Sequence, residues 1–329
     1  MRMMPGLLAL LFMAAAAPAW AGDSVPRATD GGAACKLPAP PSAKESFRHR
    51  RSRIVRRVGA SGHVAPDVLA VAGRAFVVSG KFAYGGASKD LEDERVKVFA
   101  GDCAGWQLLG EAITDDEGWA RLESTGLAAG VHSLALVVVG DGTRAEATLT
   151  VVPVGTRIAV FDVDGTLTTS DAELFRDVGR DLVRPIVSGK KIPAARPGGA
   201  ALTHVEAARG HAIVYLTGRP YLLAGRTREW LARIGAAPGP LYVAPTLEDA
   251  LPSRAGVAEF KLAVLRALQA DGCVIDVAYG NATTDIDAYL GAGLRTDQIF
   301  IAGKHGGERG TNSVGASWEE RVRQRRAAP

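Results

Sequence analysis

The chain has 329 residues, with 39 Lys and Arg against 35 Asp and Glu for a formal charge of +4, 47% hydrophobic residues and only three cysteines. That length suggests two domains plus appendages, and the cysteines offer no Cys/His spacing for zinc. The positive excess is confined to residues 44–57 with no recognition fold beside it, which argues against nucleic acid as a partner.

In chain order, residues 1–21 join Arg2, the apolar run from Leu7 to Ala14 and the small-x-small Ala19-Trp20-Ala21. This pattern predicts a secretory signal peptide and hence an exported protein, periplasmic or secreted. No later segment offers some twenty uncharged apolar residues, so a soluble or peripheral protein is expected. Residues 22–68, rich in Pro, Ala and Gly, are expected as a basic flexible linker. Within them Lys44 to Arg57 carries seven positive side chains against one negative, a net +6. Such a stretch suits a peripheral membrane contact, where each basic residue near an anionic surface adds about 1 kcal/mol. Phe47, Ile54 and Val55 are candidates to insert, and a solvated linker is the alternative. The odd number of cysteines leaves one over: Cys35 and Cys103 could pair, with Cys273 buried as a thiol.

Residues 69–154 show short strand patterns at 74–84, 96–100, 106–113, 119–122, 133–139 and 145–153, punctuated by Gly and Asp. The spacing predicts an all-β antiparallel sandwich, immunoglobulin-like. Near Gly155 the pattern changes to alternating strand and helix, so residues 155–312 are expected as an α/β domain with a parallel sheet. Residues 313–329 are expected as a basic tail.

Arg157-Ile-Ala-Val-Phe161 is apolar on both faces, as a central parallel strand is, and ligands collect at the carboxyl ends of such strands. Asp162-Val-Asp164-Gly165-Thr166-Leu-Thr168 follows it directly. One carboxylate there can attack phosphorus while the other donates and then accepts a proton, in a turn that Gly165 permits. Three further elements follow: His211 to Thr217-Gly218-Arg219, a strand ending in a hydroxyl; Lys261 near the start of a helix; and Val274 to Gly280-Asn281 and Asp285, a strand running into a turn. Thr217 can bond a phosphate oxygen, Lys261 can neutralise nucleophile and phosphate together, and Asn281 and Asp285 can offer oxygens to a hard cation.

These four elements in order resemble the signatures of the haloacid-dehalogenase superfamily. The closer resemblance is to lipin-type phosphatidate phosphatases, through Asp162 to Asp171, Gly239 to Pro245, Phe260-Lys261 and Gly280 to Tyr289. Residues 196–220 look equally like the lipin-related C-terminal domain of membrane-associated phosphatidylinositol transfer proteins. The resemblance implies a Rossmann-like domain without a large cap and a phosphatase dependent on Mg²⁺. Its nucleophile would be Asp162 and its acid/base Asp164, acting with Thr217 and Lys261. It further implies substrate contacts at Gly165, Thr166, Gly218 and Arg219, metal oxygens from Asp162, Asp164, Asp285 and Asn281, and a phospholipid, most simply phosphatidate, as substrate. A soluble broad-specificity or nucleotide phosphatase and a non-catalytic phosphatidate-binding module are the alternatives. Short connections between the four elements leave little room for a cap and so favour a bulky or membrane-held substrate. Lys190, Lys191 and Arg196 are candidates to meet lipid phosphate.

Overall fold

A computed structural model describes residues 37–42, 45–85, 88–169, 193–244 and 254–327. Residues 1–36, with the expected signal peptide and Cys35, lie outside them, as do Lys44, Asp171, Lys190, Lys191 and Pro245. The connections at 170–192 and 245–253, on which the absence of a large cap depends, lie outside them too.

The first half is a β-sandwich. One layer has the strand order β1 (Val68–Val71), β9 (Arg144–Val152), β8 (Gly130–Val138), β5 (Arg95–Asp102) and β6 (Gly105–Ile113). Against it lie the antiparallel pair β2 (Phe76–Lys81) and β7 (Trp119–Ser124) and the short pair β3 (Ala83–Tyr84) and β4 (Lys89–Asp90). Alternate residues such as Val96, Val98, Leu134, Leu136, Leu149 and Val78 point into a common core, as the two-residue period of a strand requires. β1 departs from the expected antiparallel pattern by pairing parallel to β9, with Val68 beside Leu149 and Val71 beside Val152. The reason lies in its two faces: Ala70 packs into the sandwich core, while Leu69 and Val71 join Val152 in the core of the next domain. Cys103 is disulfide-bonded and Cys273 is a free, buried thiol.

The segment expected as a flexible linker is folded in its described part. Residues Arg50–Arg56 form helix α1, Phe47 is buried in the sandwich core, and Val55 packs against that core. Of the three apolar residues expected to insert into lipid, only Ile54 is exposed.

The second half is a six-stranded all-parallel sheet in the order β12 (Leu241–Ala244), β11 (Ala212–Pro220), β10 (Arg157–Asp162), β13 (Val274–Gly280), β14 (Ile299–Ala302) and β15 (Asn312–Gly315). Helices cover both faces. Ala159 and Phe161 of β10 pack with residues of α2 (Gly199–Ala208) and α3 (Ala224–Arg233), while Ile158 and Val160 pack with α4 (Arg254–Ala270) and α5 (Thr283–Gly291). The chain runs from β10 outward to β12, then crosses to β13 and runs outward to β15. Strand order therefore reverses at β10, and the crevice at its carboxyl end is where such sheets bind ligands. The expected basic tail is also structured: β15 is the sheet's edge strand, Trp318 is fully buried, and α6 (Glu319–Ala327) packs on α2.

Candidate active site

Asp162 closes β10 at this switch point, in register with Leu216 of β11. Gly165 then takes a left-handed conformation with φ 73°, which glycine adopts without Cβ strain. The turn it opens is tied down by donation from Gly165 N to Thr168 Oγ1 at 2.8 Å and from Leu167 N to Val163 O at 3.0 Å. Two distant residues brace the same loop. Arg196 donates to Gly165 O through Nε and Nη2 at 3.0 and 2.5 Å, and Trp318 Nε1 donates to Thr166 O at 2.7 Å.

Three expected residues converge on the buried centre. Lys261 Nζ, from the second turn of α4, lies 2.6 Å from Asp162 Oδ1 and 2.6 Å from Asp285 Oδ1. Asp285 Oδ2 accepts from Asn281 N and Ala282 N at 2.9 and 3.0 Å, so this carboxylate also caps α5. Gly280 makes that approach possible, since a Cβ there would lie 2.6 Å from the Asp285 Cβ. Asn281 Oδ1 accepts from Thr166 Oγ1 at 3.1 Å and so stitches the two loops together.

Two carboxylates share one ammonium, so with both ionised the centre would carry a buried excess of one negative charge. Burial pushes the Asp162 carboxyl up to about 8, with the Asp285 charge adding and Lys261 opposing. Burial opposes the Lys261 charge, but the two carboxylates outweigh it and hold its ammonium above the ordinary lysine range. Asp162 Oδ2 is buried with no hydrogen-bond partner among the described residues, and an unsatisfied buried polar atom is costly enough to need an explanation.

Of the oxygens at this centre, Asp162 Oδ2 is the one open to a hard cation, since Asp285 Oδ1 meets Lys261 and its Oδ2 meets two backbone N–H groups. Among the described residues no three His, Cys, Asp or Glu side chains form a metal cluster; of the expected metal residues Asn281 turns its Oδ1 to Thr166, and a cation would have to draw on Asp162, the Asp164 carbonyl and Asp285, completed by substrate and water oxygens. Such an all-oxygen, partly aqueous set is characteristic of Mg²⁺ sites. Bound there, Mg²⁺ would offset the excess negative charge and screen Asp162 from an incoming phosphate.

Asp164 and the residues expected to meet substrate are arranged differently. Arg219 Nε lies 2.9 Å from both Asp164 carboxylate oxygens and its Nη2 lies 2.7 Å from Oδ1, while Thr217 Oγ1 donates to Oδ2 at 2.8 Å. Thr217 and Arg219 thus hold Asp164. For Asp164 to pass a proton or Arg219 to take a phosphate oxygen, this pair must open. Gly218 lies between them, against Val257. Arg196, expected to meet lipid phosphate, instead bridges Gly165 O and Ala316 O. The bracing roles of Arg196 and Trp318 were missed from sequence; a buried-type Trp within a charged tail was the available signal.

Comparison with known proteins places these domains. Residues 159–303 match the LNS2 domain, and residues 61–151 the beta-sandwich domain, of the PITM 1-3 models. Protein retinal degeneration B of Drosophila melanogaster is 30% identical over 287 residues, covering 84% of this chain and 21% of that protein. Human membrane-associated phosphatidylinositol transfer protein 3 is 30% identical over 274 residues, covering 80% and 26%. Human membrane-associated phosphatidylinositol transfer protein 1 is 29% identical over 283 residues, covering 83% and 21%. The chain therefore spans about a fifth to a quarter of the length of these relatives. The lipin-like resemblance is that of the LNS2 domain. The expectation of an exported, periplasmic or secreted protein is overturned, because the relatives are named as membrane-associated transfer proteins. Among the described residues no helix is long and apolar enough to cross a membrane.

Proposed function

We propose that the α/β domain, whose residues 159–303 match the LNS2 domain of PITM 1-3, acts on a phosphomonoester lipid as a phosphatase of the haloacid-dehalogenase type. Phosphatidate is the simplest such substrate. The unpartnered Oδ2 of Asp162 carries this reading. It is a buried carboxylate oxygen at the ligand-binding end of the sheet, held in place through its sister oxygen by Lys261. That is the disposition of a nucleophile awaiting an electrophile. Asp162 would attack phosphorus, Lys261 would offset charge on the attacking and transferring oxygens, and Asp164, once released from Arg219, would protonate the leaving alkoxide and then deprotonate water. Asp162, the Asp164 carbonyl and Asp285 would hold Mg²⁺.

A binding-only role has its own support in the closed Asp164–Arg219 pair and in the relatives' names as transfer proteins. Phosphate release from phosphatidate in mixed micelles, with and without Mg²⁺, separates the readings when run beside a soluble phosphomonoester and Asp162→Asn. Mg²⁺-dependent release that favours the lipid and falls at least 1,000-fold in Asp162→Asn, as expected for loss of a nucleophile, is the predicted outcome. Preference for the soluble ester would indicate a general phosphatase, and lipid binding without release would leave the binding role.

A further inference from the structure

A cleft of about 610 Å³ lies between α1 and the sandwich, remote in sequence from the Asp162 site. Its lining includes Arg53, Arg56, Arg57, Tyr84, Asp141 and Thr143. The floor is a built polar network. Asp141 accepts from Tyr84 Oη at 2.8 Å and from Thr143 N and Oγ1 at 3.0 and 2.6 Å, and Arg56 Nε lies 3.0 Å from its Oδ2. Thr143 Oγ1 is also bonded to His63 Nε2 at 2.8 Å. Burial holds the His63 imidazole down to about 4, so at neutral pH it adds no charge.

The arginines of this segment divide by partner. Arg48 pairs with Asp93, Arg51 with Glu92 and Arg56 with Asp141. Glu45, the other carboxylate at the cleft, is occupied by Arg95 and Lys97 at 2.5 and 3.0 Å. Arg53 and Arg57 have no carboxylate partner among the described residues, and they are four residues apart, Arg53 within α1 and Arg57 its C-cap, which keeps a right-handed helical conformation. Asp141 is therefore balanced by Arg56, and the cleft keeps two positive charges. Ile54 and Val58, beside those arginines in sequence, are 66% and 54% exposed.

We propose that this cleft is a second ligand site, taking a phosphomonoester group through Arg53 and Arg57. The two charges match a phosphomonoester dianion, the guanidinium fork matches its oxygens, and the volume is that of an ordinary small-ligand pocket. The same group is carried by a free phosphorylated metabolite and by a phosphatidate headgroup. For the lipid, Ile54 and Val58 would meet the acyl boundary while the arginines hold the phosphate.

The test uses the full chain carrying Asp162→Asn, so that turnover does not consume the ligand, and compares it with the same chain bearing Arg53→Gln and Arg57→Gln. Both arginines are exposed, so the double variant should melt with the parent. Vesicles of phosphatidylcholine with phosphatidate are set against vesicles matched in surface charge by phosphatidylserine, and glycerol 3-phosphate serves as soluble competitor. The expected result is preference for phosphatidate that the double substitution weakens at least tenfold, while Arg50→Gln, on α1 but outside the cleft lining, changes it less than twofold. Displacement by millimolar glycerol 3-phosphate would identify a free ester as ligand, and resistance to it a membrane headgroup; either upholds the site. Equal binding to both vesicle types together with no glycerol 3-phosphate binding that depends on Arg53 and Arg57, an unaltered double variant, or an equal loss with Arg50→Gln would overturn it. The readout is the change that Arg53→Gln and Arg57→Gln make on a constant Asp162→Asn background, so phosphatidate held at the Asp162 site cancels, and this site and the proposed phosphatase can fail separately.

Discussion

At the scale of single residues, the closed pair between Asp164 and Arg219 decides what the site can do. Arg219 is 4% exposed at its side chain and Asp164 11%, and the guanidinium engages both carboxylate oxygens. Removing one member of such a pair leaves the other charge buried and uncompensated, at a cost of about 3–5 kcal/mol. Arg219→Ala should therefore lower the melting temperature markedly, Asp164→Asn alone should also destabilise, and the double variant should recover part of the sum. A thermal-melt double-mutant cycle measures this, and strict additivity would show that the pair contributes no coupling. Asp164 was legible in sequence as the second carboxylate of a turn closing a central strand, because two acids and Gly165 follow an unbroken apolar run. Its partner was not. Arg219 comes 55 residues later, and only the pairing of Asp162 with Leu216 across β10 and β11 brings the two together.

Among the elements, the least legible was the C-terminal segment. Residues 319–327 read Glu-Glu-Arg-Val-Arg-Gln-Arg-Arg-Ala, with Val322 the one buried residue of the helix, so no apolar periodicity marked α6 as packed. Ion pairing docks it instead. Arg325 Nε and Nη2 donate to Glu206 Oε1 and Oε2 at 2.7 and 2.6 Å, and His211 and Tyr279 converge on the same carboxylate. Burial acts to raise the Glu206 carboxyl, but the hydrogen bonds from His211, Arg325 and Tyr279 outweigh it and hold the group down to about 2, against an ordinary 4.5. A depressed carboxyl contributes stability that is fully present above its unfolded value and is lost as pH falls through its folded one. Roughly 3 kcal/mol at neutral pH should thus disappear between about pH 4.5 and pH 2. Urea titrations across that interval should show a steeper loss for the parent than for Glu206→Gln, and parallel curves would remove Glu206 from the acid response. The central strand β10, by contrast, was plain in sequence because burial on both faces leaves an unbroken apolar run.

Across the whole molecule, the change of pattern near Gly155 marked two domains, yet their junction is one continuous packing problem. β1 reads Val-Leu-Ala-Val, apolar at every position, and nothing in that run says that Leu69 and Val71 serve the α/β core while Ala70 serves the sandwich. Asp67 sits just before it as a buried pin. Its carboxylate accepts from Thr148 N within the sandwich and from Leu241 N and Arg228 Nε in the α/β domain, at 2.8, 3.0 and 3.0 Å. Arg74 Nη1 to Ala270 O and the edge contact of Trp119 with Tyr221 add two more ties across the same boundary. Domains joined only by a linker melt independently, whereas domains sharing a strand and a buried carboxylate cannot separate without exposing both. Calorimetry should therefore show one transition whose calorimetric and van't Hoff enthalpies agree. Asp67→Ala, which leaves the buried Leu241 N–H without its acceptor and removes the partner of the part-exposed Arg228, should destabilise by about 1–3 kcal/mol and move that single peak downward or split it. Two resolved transitions in the unaltered protein would mean that the sandwich and the α/β domain fold as separate units, and that β1 belongs energetically to only one of them.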